Sequence, residues 1–158
     1  MDRPMRTAVR ASLIAVIAGA ALPACAARPA PEGRRVPIRP EGAAPLATYT
    51  PAIRSGDLIF LSGQIGIDPR RNQLPPEFRD QARQALVNVQ QLLQSVALDM
   101  QDLVKCTVFL ADMRDYDAMN EVYADFFEDE VPPARSAVGV NGLPAGARVE
   151  VECIAAAR

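Results

Sequence analysis

The sequence predicts an α+β domain: one mixed or antiparallel sheet with two helices on one face. Three observations predict it. Apolar residues recur at three- and four-residue steps in two stretches, one opening at Phe78 and one at Tyr116. Elsewhere apolar residues alternate or run in short blocks bounded by Gly, Pro and Asp, which reads as strand. The order is strands, helix, strand, helix and two strands, with no internal repeat or low-complexity tract, so both helices serve a single sheet.

Taken in order, Val36 to Arg39 reads as a short edge strand, because Pro37 and Pro40 are tolerated only at an edge. Tyr49 to Ile53 and Leu58 to Gly63 are the arms of a hairpin that turns at Ser55-Gly56-Asp57. Asp68 to Asn72 is a loop in which Asn72 tolerates positive φ. Pro75-Pro76-Glu77 opens a helix with Phe78, Ala82, Ala85, Leu86, Val89, Leu93 and Val96 as its apolar stripe. Leu103 to Leu110 is a strand with Val104, Cys106, Val108 and Leu110 on one face. A second helix spans Asp115 to Phe127, where Tyr116, Met119, Tyr123, Phe126 and Phe127 read as core. Arg135 to Val140 and Arg148 to Ala155 are the last strands, separated by a loop over Asn141 to Ala147. No element remains to cover the second face of the sheet, so association with other subunits is expected to bury it.

The amino-terminal residues carry a different signal. Arg3, Arg6 and Arg10 precede an apolar run from Ala11 to Leu22, followed by small residues around Cys25. These are the three parts of a bacterial secretion signal, and the run is too short for a comfortable membrane span. Residues 1–24 are therefore expected to be removed on export to the periplasm, with 25–35 a Pro- and Arg-rich tether and 36–158 the functional domain. Leu22-Pro23-Ala24-Cys25 resembles a lipobox, which would acylate Cys25 and tether the protein to the membrane. Ala24-Cys25-Ala26 also fits ordinary small-x-small cleavage, which would release it.

Composition excludes several chemistries. The chain has 17 basic and 19 acidic residues; residues 1–24 hold three basic and one acidic, leaving 14 against 18 and a net charge of −4. That balance argues against a nucleic-acid partner. There is no His, which removes Ser-His-Asp and Cys-His catalysis and the commonest metal ligand. Cys106 and Cys153 lie too far apart for a Cys-x-x-Cys pair, and both fall on the apolar side of a strand. Buried free thiols are the expected state, with a disulfide left open by an oxidising compartment.

Three features can carry chemistry. Arg135 follows the rigid Pro132-Pro133 pair and opens a strand, so its guanidinium can grip a carboxylate with two parallel hydrogen bonds. Glu150 and Glu152 share one face of the last strand, opposite Val149, Val151 and Cys153. Leu61-Ser62-Gly63-Gln64 ends an apolar strand with a small-polar break that lets a ligand approach the backbone. Each has a plainer reading when taken alone: a surface Arg, a solvated strand face, a strand end.

As a set they carry more. Ser62-Gly63-Gln64-Ile65, Lys105-Cys106-Thr107-Val108-Phe109-Leu110, Asn120-Glu121-Val122-Tyr123, Pro133-Ala134-Arg135-Ser136 and Val149-Glu150-Val151-Glu152 resemble the RidA/YjgF family of reactive-intermediate deaminases. The resemblance runs from about Val36 to Arg158. It implies a chorismate-mutase-like fold, a homotrimer whose sheets pack into a central barrel, and ligand clefts between subunits. It assigns Arg135 to the substrate carboxylate and Glu150 to the attacking water, with no metal or cofactor. Tyr49, Ser62, Gly63, Asn120 and Ala137 match the remaining cleft positions, Ala137 standing where many deaminases carry a Cys. The expected activity is hydrolysis of small 2-imino acids to 2-keto acids and ammonia. A trimeric module that binds small carboxylates without turnover is the second reading, and a ribonuclease the third.

Overall fold

The computed structural model describes residues 35–40, 48–128 and 131–157. The expected secretion signal over 1–24, Cys25 and the tether as far as residue 34 lie outside the described residues. Six strands form one mixed sheet: β1 Val36–Ile38, β2 Ala52–Ser55, β3 Leu58–Ile65, β4 Leu103–Leu110, β5 Ala134–Gly139 and β6 Val149–Ala156, in the order β1-β2-β3-β6-β4-β5. The helices are α1 Phe78–Gln94 and α2 Tyr116–Ala124. The α+β class and its single sheet are as the sequence predicts.

The edge strand β1 pairs antiparallel with β2, and Gly56 (φ 61°) turns the β2–β3 hairpin. The last strand β6 inserts between β3 and β4, antiparallel to both. β4 and β5 pair in parallel, the chain between them passing through α2. The apolar side of the sheet lies under α1 and α2. Ile59, Leu86, Val89, Leu93, Leu110, Met119, Val108, Val149 and Val151 are fully buried in the cluster they form. Each large side chain withdrawn in this way contributes about 1.5–3 kcal/mol. On the other side Leu58 and Phe60 stay 40 % and 44 % exposed, an apolar face that nothing among the described residues covers.

Five expectations need correction. Tyr116, expected in the core, is 38 % exposed at the first turn of α2. Val104 is 45 % exposed rather than part of the β4 apolar face, because a register shift between Leu103 and Lys105 turns it out and puts Leu103 inside. α1 ends at Gln94, two residues before the stripe's last member Val96. There Ala97 takes a φ of 58°, its N–H donates to the Gln94 carbonyl (3.1 Å) and the Leu98 N–H to the Leu93 carbonyl (3.1 Å), a Schellman ending. α2 ends at Ala124, and Phe126 and Phe127 follow in tight turns whose N–H groups reach back to the Tyr123 and Ala124 carbonyls (3.2 and 2.9 Å). Finally, Cys106 and Cys153 are not free thiols. They face each other on β4 and β6 and are joined in a disulfide. The expected positive φ at Asn72 is present, at 53°.

Candidate active site

Arg135, near the start of β5, lies beside Cys106 in the sheet and shares its helix-covered face. Its Nη2 donates to Asn120 Oδ1 on α2 at 2.5 Å, and the guanidinium carbon stands 4.5 Å over the centroid of the Tyr123 ring. One turn of α2 separates Asn120 from Tyr123, so a single helix face supplies both groups. Phe127 backs Tyr123, centroid to centroid at 4.9 Å. A cavity of about 630 Å³ opens here, lined by Asn120, Tyr123, Phe127, Pro132, Pro133 and Arg135 among others. Among the described residues no carboxylate pairs with Arg135.

Glu150 belongs to the other face. Its partner across β4 is Phe109, an odd number of residues from Cys106, so alternation turns it away from the helices. It lines a second cavity, of about 280 Å³, with Tyr49, Ser62, Gly63, Ile65 and Pro144. A register shift between Leu61 and Gln64 breaks the β3–β6 pairing at Ser62 and Gly63, and Glu150 packs into the gap. A Cβ built on Gly63 would fall 1.8 Å from Glu150 Oε1, so only glycine leaves the carboxylate its place. Ser62 Oγ donates to the Thr50 carbonyl at 2.7 Å, which ties the approach to β2 against this cavity. Burial pushes the Glu150 carboxyl above its ordinary pKa, and the charge of Glu152 adds to the effect.

The predicted site residues thus gather into two groups. Arg135 and Asn120 line one cavity; Tyr49, Ser62, Gly63 and Glu150 line the other. The sheet stands between them. Ala137 lines neither and packs, partly buried, against the core. Tyr123 and Phe127 are core as expected, but their second role as the wall beneath Arg135 was hidden in an ordinary aromatic stripe. Pro144 gave no sequence signal, and Ile65 was marked only as the end of the Ser62-Gly63-Gln64-Ile65 motif, without a site role. No group of three His, Cys, Asp or Glu among the described residues could hold a metal ion.

A family model described as Endoribonuclease L-PSP matches residues 41–157. The chain belongs to that family, RidA/YjgF. Within it, this RidA/YjgF member is 40 % identical over 123 residues to a mouse protein named 2-iminobutanoate/2-iminopropanoate deaminase, covering 77 % of this chain and 90 % of that one. It is 42 % identical over 112 residues to a RutC family protein of Pyrococcus horikoshii, covering 70 % and 88 %. Among solved structures, the E. coli YjgF gene product matches with a TM-score of 0.74 at 36 % identity over 78 % of this chain and 99 % of that chain. E. coli TdcF with bound serine matches with a TM-score of 0.68 at 35 % identity, over 77 % and 94 %.

Proposed function

We propose that this RidA/YjgF member hydrolyses small 2-imino acids to 2-keto acids and ammonia, in clefts completed where copies of the chain meet as a homotrimer. One observation carries the reading: Arg135 and Glu150, the groups to which we assign the carboxylate grip and the base, lie in separate cavities on opposite faces of the sheet. No small molecule can touch both within one protomer. The uncovered apolar face around Leu58 and Phe60 supplies the surface on which copies would associate. Relatives named for 2-iminobutanoate and 2-iminopropanoate support the substrate class.

The chemistry needs only these groups. Arg135 holds the carboxylate of the imino acid through two parallel hydrogen bonds, which fixes the protonated C=N beside it. Glu150 of a neighbouring copy accepts a proton from water as the oxygen adds to the imine carbon. Glu150 returns that proton to the carbinolamine nitrogen, and as the C–N bond breaks it accepts the hydroxyl proton, so that ammonia leaves with formation of the keto acid. Glu150 acts when ionised, so the rate falls as pH drops through its pKa. Because burial and Glu152 raise that value, the fall begins at higher pH than for an ordinary glutamate.

The test is ammonia release from freshly generated 2-iminobutanoate by the purified mature domain. Wild-type protein is expected to accelerate it, Arg135→Ala to lose at least a hundredfold in kcat/KM, and the acid limb to be displaced upward from that of an ordinary glutamate. A wild-type rate no greater than buffer sinks the enzyme reading. In that event the TdcF structure with bound serine favours the second reading, a trimeric module that binds small carboxylates without turnover. Arg135→Ala would then lose affinity where no turnover exists. The acidic mature chain and the absence of His weigh against a ribonuclease. We further propose that the amino-terminal residues act as an export signal, so that this chemistry would take place in the periplasm, free or tethered through Cys25.

A further inference from the structure

Among the described residues no carboxylate pairs with the Arg135 guanidinium, although Glu128 lines the same cavity. The guanidinium's ordinary anchor would be a carboxylate, and a carboxylate there would compete with any anionic ligand for the same N–H groups. Two neutral groups hold it instead. Asn120 Oδ1 accepts from one Nη, and the face of Tyr123 lies under the guanidinium carbon at 4.5 Å. The negative face of an aromatic ring attracts a cation without occupying its in-plane hydrogen-bond positions. The platform is itself fixed: Tyr123 is 5 % exposed and stacks on Phe127. Its hydroxyl is buried and has no hydrogen-bond partner among the described residues. A tyrosine retained in such a place for its hydroxyl would have that hydroxyl paired, so the ring is the group in use. Burial pushes the phenol pKa up to about 12, which keeps the ring neutral at any working pH.

We propose that Tyr123 is a positioning residue: its ring is the platform that orients Arg135 toward the carboxylate of the ligand while leaving the charge of the guanidinium unspent. This rests on the proposed role of Arg135 as the carboxylate grip. It assigns Tyr123 no contact with the reacting atoms. The ring therefore governs binding and not the chemical step, and phenylalanine replaces it fully.

Calorimetric binding of 2-oxobutanoate, the keto acid that the proposed reaction would form, tests this alongside KM and kcat on 2-iminobutanoate. Tyr123→Leu is expected to weaken keto-acid binding and raise KM about tenfold, with kcat within about threefold of wild type. Tyr123→Phe is expected to match wild type in both. Tyr123→Met serves as a second variant without a ring should the Leu variant fail to fold. Wild-type NMR offers a readout that needs no variant, since the ring current shifts the Arg135 side-chain protons upfield. Equal losses in Tyr123→Phe and Tyr123→Leu, unchanged binding in Tyr123→Leu, absence of the upfield shift, or wild-type protein that binds no keto acid would each overturn the proposal. Binding with the expected Tyr123 pattern but no wild-type turnover removes the enzyme reading and leaves the platform standing. Turnover that is indifferent to Tyr123→Leu does the reverse.

Discussion

A methyl group at position 63 would need the space that one oxygen of Glu150 fills, with Cβ and Oε1 only 1.8 Å apart. The atom in the way is the far end of a flexible side chain, so the backbone need not move and the fold should survive. The carboxylate must swing aside, and a base displaced by about an ångström can lose on the order of a hundredfold in rate. Gly63→Ala is therefore expected to lower kcat on 2-iminobutanoate at least tenfold while its thermal midpoint stays within a few degrees of wild type. A variant with full kcat would show that Glu150 does not act from this position. At Arg135 the side chain is supported from beneath by Asn120 and Tyr123, and truncating it would remove the proposed grip while its supports remain.

Helix α1 ends on Ala97 in the left-handed region, with φ of 58°, a conformation that costs an L-residue about 1–2 kcal/mol and glycine almost nothing. Both hydrogen bonds of the Schellman ending are already made, and no contact need be rebuilt. Ala97→Gly is expected to raise stability by about 1 kcal/mol, read as a higher urea midpoint at unchanged slope. An unchanged or lower midpoint would show that the entropy glycine loses on folding outweighs the relief. The elements show what could be read from residues alone. The stripe from Phe78 to Leu93 gave α1, and the Pro pair with the Gly turn gave β1 and the hairpin, because these signals are local. Val104 was placed on the wrong face because alternation cannot reveal a bulge. The parallel pairing of β4 with β5 was not legible, since strand order is decided by packing between distant segments. Neither was the separation of Arg135 from Glu150: each was marked by its motif, but which face each takes depends on that order.

At the scale of the whole molecule the Cys106–Cys153 bond ties β4 to β6 across 47 residues of chain, in the row of the sheet where Arg135 lies next to Cys106 on β5. Closing a loop of that length restricts the unfolded chain by about 4 kcal/mol in the chain-entropy account. Cys106→Ala with Cys153→Ala is expected to lose about 2–4 kcal/mol in denaturant unfolding and to keep its secondary structure. Labelling of both thiols in denatured but unreduced protein would refute the bond. Such a link suits an oxidising compartment, in keeping with the proposed export. The sheet that separates grip from base has another consequence. If function requires two copies to meet, a lone chain is silent, and output rises more steeply than protein concentration until assembly saturates. Synthesis and transit then carry no catalytic risk, and dilution is an off-switch that needs no inhibitor.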